Sequence, residues 1–217
     1  MAEPKDPAPT RDTLSRRTFL KSAGGVAAGG MLTSQLAAEP EATPLKATAG
    51  RTLAGDVTIE LDLNGRKHEV TVEPRTTLLS ALRHRIEPPH TGTKEVCDQG
   101  NCGACTVIVD GRPAYACMLL AVDLVGRKLR TVEGLGSVEN LSPVQAAFCE
   151  HDALMCGFCT PGFVVATTAC LERRPDADLA TIKRELSGNL CRCGTYPFIF
   201  DAAETARAAM APKKGGK

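Results

Sequence analysis

Eight of the ten cysteines fall into two groups, and thiols gathered in this way are ligands for soft metals. The first group is Cys97, Cys102, Cys105 and Cys117. The second group is Cys156, Cys159, Cys191 and Cys193. Each group supplies four thiols, the number that binds a tetrahedral zinc ion or an iron-sulfur cluster.

The spacing within the first group favours iron and sulfide over zinc. Intervals of four residues, two residues and then eleven residues match the plant-type ferredoxin pattern. Zinc sites usually combine two Cys-x-x-Cys pairs, and this group has one such pair. Neither group contains histidine, which excludes a Rieske centre. We therefore interpret the two groups as ligands of two [2Fe-2S] clusters.

Residues 1–49 are predicted to be an export signal and linker. Arg16 and Arg17 precede Phe19, Leu20 and a weakly apolar run over residues 22–38, a pattern that resembles a twin-arginine signal. That run has seventeen residues, of which four are glycine, so it is too short and too weakly apolar to span a bilayer. We expect a periplasmic protein without a membrane span.

Export leaves a disulfide-stapled binding module as an alternative, because small exported domains often use cysteines in this way. The resemblance to a twin-arginine signal argues against it. That route carries proteins that have already folded and received their cofactors in the reducing cytoplasm. The leader and the cysteine spacing therefore both indicate metal.

Composition limits both the fold and the partners. The chain has 217 residues, 4% of them aromatic and none of them Trp, so any core is modest and benefits from a metal staple. Its 26 basic and 25 acidic residues nearly balance, which gives no indication of binding to nucleic acid or anionic lipid.

Residues 50–137 are predicted to form an N-terminal β-grasp domain of the plant-type ferredoxin kind. Alternating apolar residues around Asn64-Gly65 indicate a β-hairpin, and Thr76 or Thr77 can cap a short helix after it. Beyond the cysteine loop, a second hairpin turns at Asp110-Gly111 and would carry Cys117 on its second strand. The last strand is predicted at 128–132.

Residues 138–211 are predicted to form a small four-helix-bundle [2Fe-2S] domain, so the fold class is α+β. Ser142, Thr160 and Asp178 mark three helix starts, and a fourth helix is expected over about 198–210. Both cysteine pairs of the second group precede helix starts, where free N–H groups can face an anionic cluster. Residues 212–217 are predicted to be a disordered tail.

The remaining cysteines and the histidines carry no predicted function. Cys149 and Cys170 lie in apolar helices and are interpreted as buried, inert thiols. The four histidines are scattered without ligand spacing.

Several motifs together resemble one family. They are Thr91-Gly92-Thr93-Lys94, Glu133-Gly134-Leu135, Cys156-Gly157-Phe158-Cys159-Thr160-Pro161-Gly162 and Gly188-Asn189-Leu190-Cys191-Arg192-Cys193. With the first cysteine loop, they resemble the iron-sulfur subunit of the molybdenum hydroxylases, the xanthine dehydrogenase and aldehyde oxidoreductase family. The leader makes the periplasmic aldehyde oxidoreductase type the nearest likeness.

The resemblance implies a role in electron transfer. The second cluster would lie nearest the molybdopterin of a large partner subunit, and the first would lie toward an FAD-binding subunit or another acceptor. The partner would oxidise an aldehyde or N-heterocycle, so we expect no catalytic residue on this chain. The alternative is a free-standing two-cluster electron carrier.

Two positions depart from the family pattern. Met155 stands where the family usually has a Gln whose amide contacts the pterin. Val96 stands where the family usually has Gly, and a β-branched residue resists positive φ.

Overall fold

The structure is a computed structural model that describes residues 53–211. The strands are β1 Val57–Leu63, β2 Arg66–Val72, β3 Thr106–Val109, β4 Arg112–Tyr115 and β5 Lys128–Arg130. The helices are α1 Leu78–His84, α2 Pro143–Glu150, α3 Thr160–Arg173, α4 Leu179–Glu185 and α5 Tyr196–Met210. Short 3-10 turns occupy Ala116–Met118, Ala121–Leu124 and Val132–Gly134. The signal, the linker before residue 53 and the tail at 212–217 lie outside the described residues.

The five strands form one mixed sheet in the order β2-β1-β5-β3-β4. β1 and β2 pair antiparallel across Asn64 and Gly65, both of which have positive φ, as the predicted hairpin requires. β5 lies between the two hairpins, parallel to β1 and antiparallel to β3. The last strand in sequence therefore joins the two hairpins into one sheet.

The first apolar core lies between this sheet and α1. Thr77 caps α1, accepting a hydrogen bond from the Ser80 amide at 3.2 Å. The buried face of α1 packs against inward residues of β1 and β2, which alternate in burial along each strand. Cys105 and Cys117 belong to this core, so it holds half of the first cysteine group in place.

Helices α2 to α5 share a second apolar core. Ser142 and Gln145 form a capping box at the start of α2, and Asp178 accepts from the Thr181 amide at 2.8 Å at the start of α4. Seven of the seventeen buried residues of this core are alanine, so its side chains are small. The mixture of one sheet and five helices agrees with the α+β prediction.

α3 packs on the sheet as well as on its neighbouring helices. Val165 and Ala169 contact Ile108 of β3, and Arg130 of β5 pairs with Glu172 near the end of α3. Residues 162–171 are all buried. This double packing explains why the sequence of α3 is apolar all round.

Four sequence expectations differ from the structure. Cys117 lies in a 3-10 turn after β4, because the chain must leave the strand for this thiol to face the cysteine loop. Cys149 is exposed, since it lies one step around α2 from the buried Phe148. β5 ends at Arg130 and not at residue 132, and α5 begins at Tyr196 and not at about residue 198.

Among residues 53–211, no helix has the length and apolarity needed to cross a membrane.

Candidate iron-sulfur centres

The first site (Cys97, Cys102, Cys105 and Cys117) is built on the loop between α1 and β3. Three residues of that loop have positive φ: Asp98 at 49°, Gly100 at 74° and Gly103 at 70°. The backbone curls around the thiols as a result, and the Gly100 amide donates to Cys117 Sγ at 3.3 Å. Val96 is not among the described residues with positive φ, so its β-branched side chain fits the start of the loop.

The thiols of the first site differ in environment. The Gln99 backbone amide is the main cause that lowers the pKa of Cys97 to about 7. Burial raises the pKa of Cys105 to about 12. Cys97, at the exposed end of the loop, therefore loses its proton more readily than an ordinary thiol. The thiolate of buried Cys105 would be stabilised most by a cationic metal centre.

The second site (Cys156, Cys159, Cys191 and Cys193) lies at the start of two helices, as the sequence predicts. Cys159 is the N-cap residue of α3, and Thr195 is that of α5. The Thr195 hydroxyl lies 3.0 Å from Cys191 Sγ, and the Cys191 amide donates to the Tyr196 hydroxyl at 2.8 Å. Free N–H groups and the positive ends of both helices thus lie beside these ligands.

Burial acts on two thiols here with different outcomes. Burial acts to raise the pKa of Cys191, but hydrogen bonds, with those from Thr195 first among them, lower it to about 7. Burial raises the pKa of Cys159 to about 12, and the neighbouring Cys191 thiol acts in the same direction. The second site therefore also combines a thiol of lowered pKa with a thiol of raised pKa.

In both sites the thiols approach one another in pairs. The thiols that most affect one another's pKa are Cys97 with Cys102, Cys105 with Cys117, Cys156 with Cys193, and Cys159 with Cys191. A two-iron cluster needs two protein ligands on each iron, which is what two pairs supply. Four thiols arranged as two pairs are the donor set that a [2Fe-2S] cluster requires.

All ten cysteines are free thiols, and all lie within residues 53–211. The structure thus contains none of the bridges that a disulfide framework requires. Cys170 is buried in α3, as predicted, and its pKa is raised by burial.

Known protein families match both halves of the described chain. Residues 61–130 match the 2Fe-2S iron-sulfur cluster binding domain, and residues 131–204 match the [2Fe-2S] binding domain. Residues 13–33 match the twin-arginine translocation pathway signal sequence. The chain therefore carries two [2Fe-2S] domains and a signal for export to the periplasm.

Similarity to whole proteins identifies the family. The aldehyde oxidoreductase iron-sulfur-binding subunit PaoA of Escherichia coli K12 is 39% identical over 212 residues, which cover 89% of this chain and 88% of PaoA. The chain belongs to the iron-sulfur subunits of the molybdenum hydroxylases. This subunit is also 43% identical over 159 residues to the nicotine 6-hydroxylase small subunit of Paenarthrobacter nicotinovorans, covering 73% of this chain and 94% of that one.

Solved structures agree with this assignment. Quinoline 2-oxidoreductase from Pseudomonas putida 86 has a chain that matches 71% of this subunit at a TM-score of 0.67 and 40% identity, with 95% of that chain covered. Aldehyde oxidoreductase from Desulfovibrio gigas matches 70% of this subunit at a TM-score of 0.67 and 34% identity. The match covers 17% of that longer chain. This subunit transfers electrons within a periplasmic oxidoreductase.

The structure also explains two motifs that the cysteine spacing left without a role. Glu133 accepts from the Gly92 amide at 2.8 Å, and Arg83 donates to the carbonyls of Thr91 and Thr93 at 3.1 and 3.0 Å. These contacts hold the segment that leads into the first site.

Lys94, in the same segment, places its ammonium 6.0 Å from the Phe158 ring of the second site. Sequence reasoning missed this contact, and it also missed the roles of Thr195 and Tyr196. Lys94 and Phe158 lie far apart along the chain, so the sequence carries no signal of their contact. Thr195 and Tyr196 lie within three residues of Cys193, and their place at a helix start is the signal that could have found them.

Proposed function

We propose that the two cysteine groups are the complete ligand sets of the two clusters. The first cluster would be held by Cys97, Cys102, Cys105 and Cys117, and the second by Cys156, Cys159, Cys191 and Cys193. The pairwise approach of the thiols supports both sets. When bound, each cluster accepts and releases one electron, and this chain's own residues bind it, limit its access to water and donate hydrogen bonds to its ligands.

The second site would face the molybdopterin-binding partner. The observation that carries this proposal is the apolar rim of the site. Met155, Phe158 and Leu190 lie next to its ligands along the chain and are 70%, 58% and 52% exposed. Large apolar side chains around an exposed thiol indicate a surface that a protein partner covers.

The first site would face the electron acceptor. The exposed residues between Cys97 and Cys102 are Asp98, Gln99 and Asn101, which are polar. Val96 and Met118, beside Cys97 and Cys117, are apolar and 55% and 63% exposed. The polar loop is thus the part of this site that differs from the second. Electrons would then pass from the partner to the second site, from there to the first, and finally to an FAD-binding subunit or another acceptor. No catalytic residue is assigned on this chain.

The substrate of the assembly would be an aldehyde or an N-heterocycle. Similarity to PaoA over 89% of the chain favours an aldehyde, and the nicotine and quinoline enzymes represent the heterocycle alternative. The Desulfovibrio chain extends well beyond the part that matches this subunit. The substrate-oxidising part would therefore be supplied by a separate large chain here.

The domain boundaries would fall at 50–137 and 138–211. The first domain would be of β-grasp type, and α2 to α5 would form the four-helix bundle. Met155 provides no amide, so we propose that it contacts the partner through apolar packing where relatives use Gln.

Purification of the native assembly from the periplasm tests the proposal. We expect a large molybdenum-containing companion, four irons per chain in two clusters, and two distinct electron paramagnetic resonance (EPR) signals after substrate reduction. A subunit that elutes alone with both clusters would instead be the free-standing carrier. A product without iron and sulfide would contradict the ligand sets.

A further inference from the structure

Asn189 is buried between the two sites and bonds directly to the loop of the first. Its side chain is 5% exposed, and its Nδ2 donates to the Gly103 carbonyl at 2.9 Å and to Thr106 Oγ1 at 3.1 Å. Gly103 lies between ligands Cys102 and Cys105, whereas Asn189 stands two residues before ligand Cys191. One amide therefore connects the ligand-bearing segments of both sites.

The next residue makes a second connection. The Leu190 amide donates to the Cys102 carbonyl at 2.9 Å. Leu190 is covalently joined to Cys191, so one hydrogen bond and one peptide unit lie between a ligand of the first site and a ligand of the second. Electrons tunnel farther through covalent and hydrogen bonds than across a van der Waals gap. The Leu190–Cys102 hydrogen bond thus links the ligand-bearing backbones of the two sites.

Three glycines make the close approach possible. A Cβ on Gly103 would lie 2.7 Å from Asn189 Cγ, and a Cβ on Gly162 would lie 2.4 Å from the Gly103 carbonyl oxygen. A Cβ on Gly188 would lie 2.1 Å from the Tyr115 hydroxyl. The cysteine loop, the start of α3 and the segment before Cys191 therefore meet at backbone distance. Among them, Asn189 supplies the buried side chain that hydrogen-bonds across the junction.

We propose that Asn189 is a positioning residue that fixes the Cys102–Leu190 hydrogen bond and thereby sets the rate of electron transfer between the two sites. The inference rests on the proposed ligand sets and adds to them a specific contact between the sites. The transfer moves one electron from one site to the other and makes or breaks no covalent bond. Asn189 acts through the loop that it holds and is not itself a ligand.

The decisive variant is Asn189→Asp, tested in the full native assembly. It keeps the size of the side chain but replaces the donating amide with an acceptor that faces the Gly103 carbonyl. We expect four irons per chain, as in the unsubstituted protein. We also expect a changed spin-spin splitting between the two reduced clusters in EPR. Electron equilibration after a one-electron pulse should slow several-fold, because loss of the Cys102–Leu190 hydrogen bond replaces a bonded link with a gap.

Tyr115→Phe is the matched control. It removes the hydrogen bond from Tyr115 to the Gly188 carbonyl at the same junction and leaves the contacts of Asn189 and Leu190 in place. We expect its splitting and its equilibration rate to remain within about twofold of the unsubstituted protein, because each remaining hydrogen bond holds the loop. A slowing as large as that of Asn189→Asp would overturn the proposal, since general loosening of the junction would then explain both.

An unchanged splitting and rate in a fully loaded Asn189→Asp protein would also overturn it. If Asn189→Asp fails to load both clusters, Thr106→Val decides. It keeps the side-chain volume and removes one acceptor of the Asn189 amide, together with the bond that the Thr106 hydroxyl donates to the Gly103 carbonyl at 2.6 Å. A several-fold slowing in Thr106→Val supports the proposal, and an unchanged rate overturns it. Failure of the ligand assignment is distinguishable, since the unsubstituted protein would then lack iron.

Discussion

The two cysteine sites pair their thiols in the same way but differ in what surrounds them. The first is a loop anchored in the core of a sheet, with Asp98 and Gln99 exposed between its ligands. The second joins the starts of α3 and α5, with Met155 and Phe158 exposed beside its ligands. The donor sets are similar, whereas the exposed residues between the first two ligands are polar in the first site and include Phe158 in the second. We propose that these exposed residues, and not the ligand set, select the partner.

Removing one ligand from each site gives the largest expected effect and tests the order of the sites. Cys156→Ser should abolish substrate-driven reduction of both sites, because electrons from the partner would enter at the second. Cys97→Ser should abolish reduction of the first site and leave the second reducible. EPR of the substrate-reduced assembly measures both signals. Loss of both signals in Cys97→Ser, with the first retained in Cys156→Ser, would reverse the order.

Iron removal should destabilise the two halves unequally. The second core contains seven buried alanines among seventeen residues, and the first core contains three among seventeen. Small side chains bury less apolar area, so the helices depend more on their cluster. After chelation, we expect amides of α5 to exchange hydrogen at least about 100-fold faster than those of β1, a difference of about 2.7 kcal/mol.

Hydrogen exchange followed by mass spectrometry measures this difference. The iron-loaded protein is the control, and in it the two elements should differ less. Equal exchange of α5 and β1 after chelation would show that the packing of the two cores does not set their dependence on metal.

The two rims can be compared through residues at equivalent positions. Phe158 and Gln99 each stand two residues after the first ligand of their site. Phe158→Ala should weaken binding of the large partner by about 2 kcal/mol or more, roughly 30-fold, because a buried aromatic anchor is lost. Gln99→Ala should change the same binding by less than about threefold.

Titration of the purified partner with each iron-loaded variant gives both values. Iron content and EPR verify that the site itself is intact. Equal weakening by Phe158→Ala and Gln99→Ala would contradict the assignment of the partner surface to the second site.

The smallest expected effect concerns Lys94, which belongs to the first half but contacts the second site. Its ammonium lies 6.0 Å from the Phe158 ring. A positive charge favours the reduced cluster, so Lys94→Gln should lower the midpoint potential of the second site by about 20–40 mV, equivalent to about 0.5–1 kcal/mol.

Lys183→Gln is the matched control for this measurement. Lys183 makes a similar contact with Phe200, at 5.3 Å, but lies in α4. Potentiometric titration followed by EPR should show no shift of the second site in this variant. If Lys183→Gln shifted the midpoint potential of the second site as much as Lys94→Gln does, the effect would be one of general charge. The Lys94–Phe158 contact would then have no specific role.

Local patterns predicted the parts of the fold that depend on neighbouring residues. The Asn64-Gly65 turn, the Ser142 capping box and the helix start after Cys159 are each coded within a few residues. The structure confirms them because these local preferences agree with the packing around them.

Features that depend on distant contacts could not be predicted in this way. The 3-10 turn at Cys117 exists because the thiol must meet Gly100 from another segment, and strand propensity is silent on that requirement. The parallel pairing of β1 with β5 and the role of Asn189 likewise join residues more than sixty positions apart. For Cys149, a purely compositional argument failed, because helix rotation decides which residue faces the core.

The glycine contacts around Asn189 have a consequence for engineering. Gly103 and Gly162 stand on opposite sides of the boundary between the two family matches, and a Cβ on Gly162 would lie 2.4 Å from the Gly103 carbonyl oxygen. A chimera that takes its sheet from one relative and its helices from another will assemble only if both parents carry matching small residues at these positions. The two halves therefore fit one another as a pair at this junction, and neither is an interchangeable module.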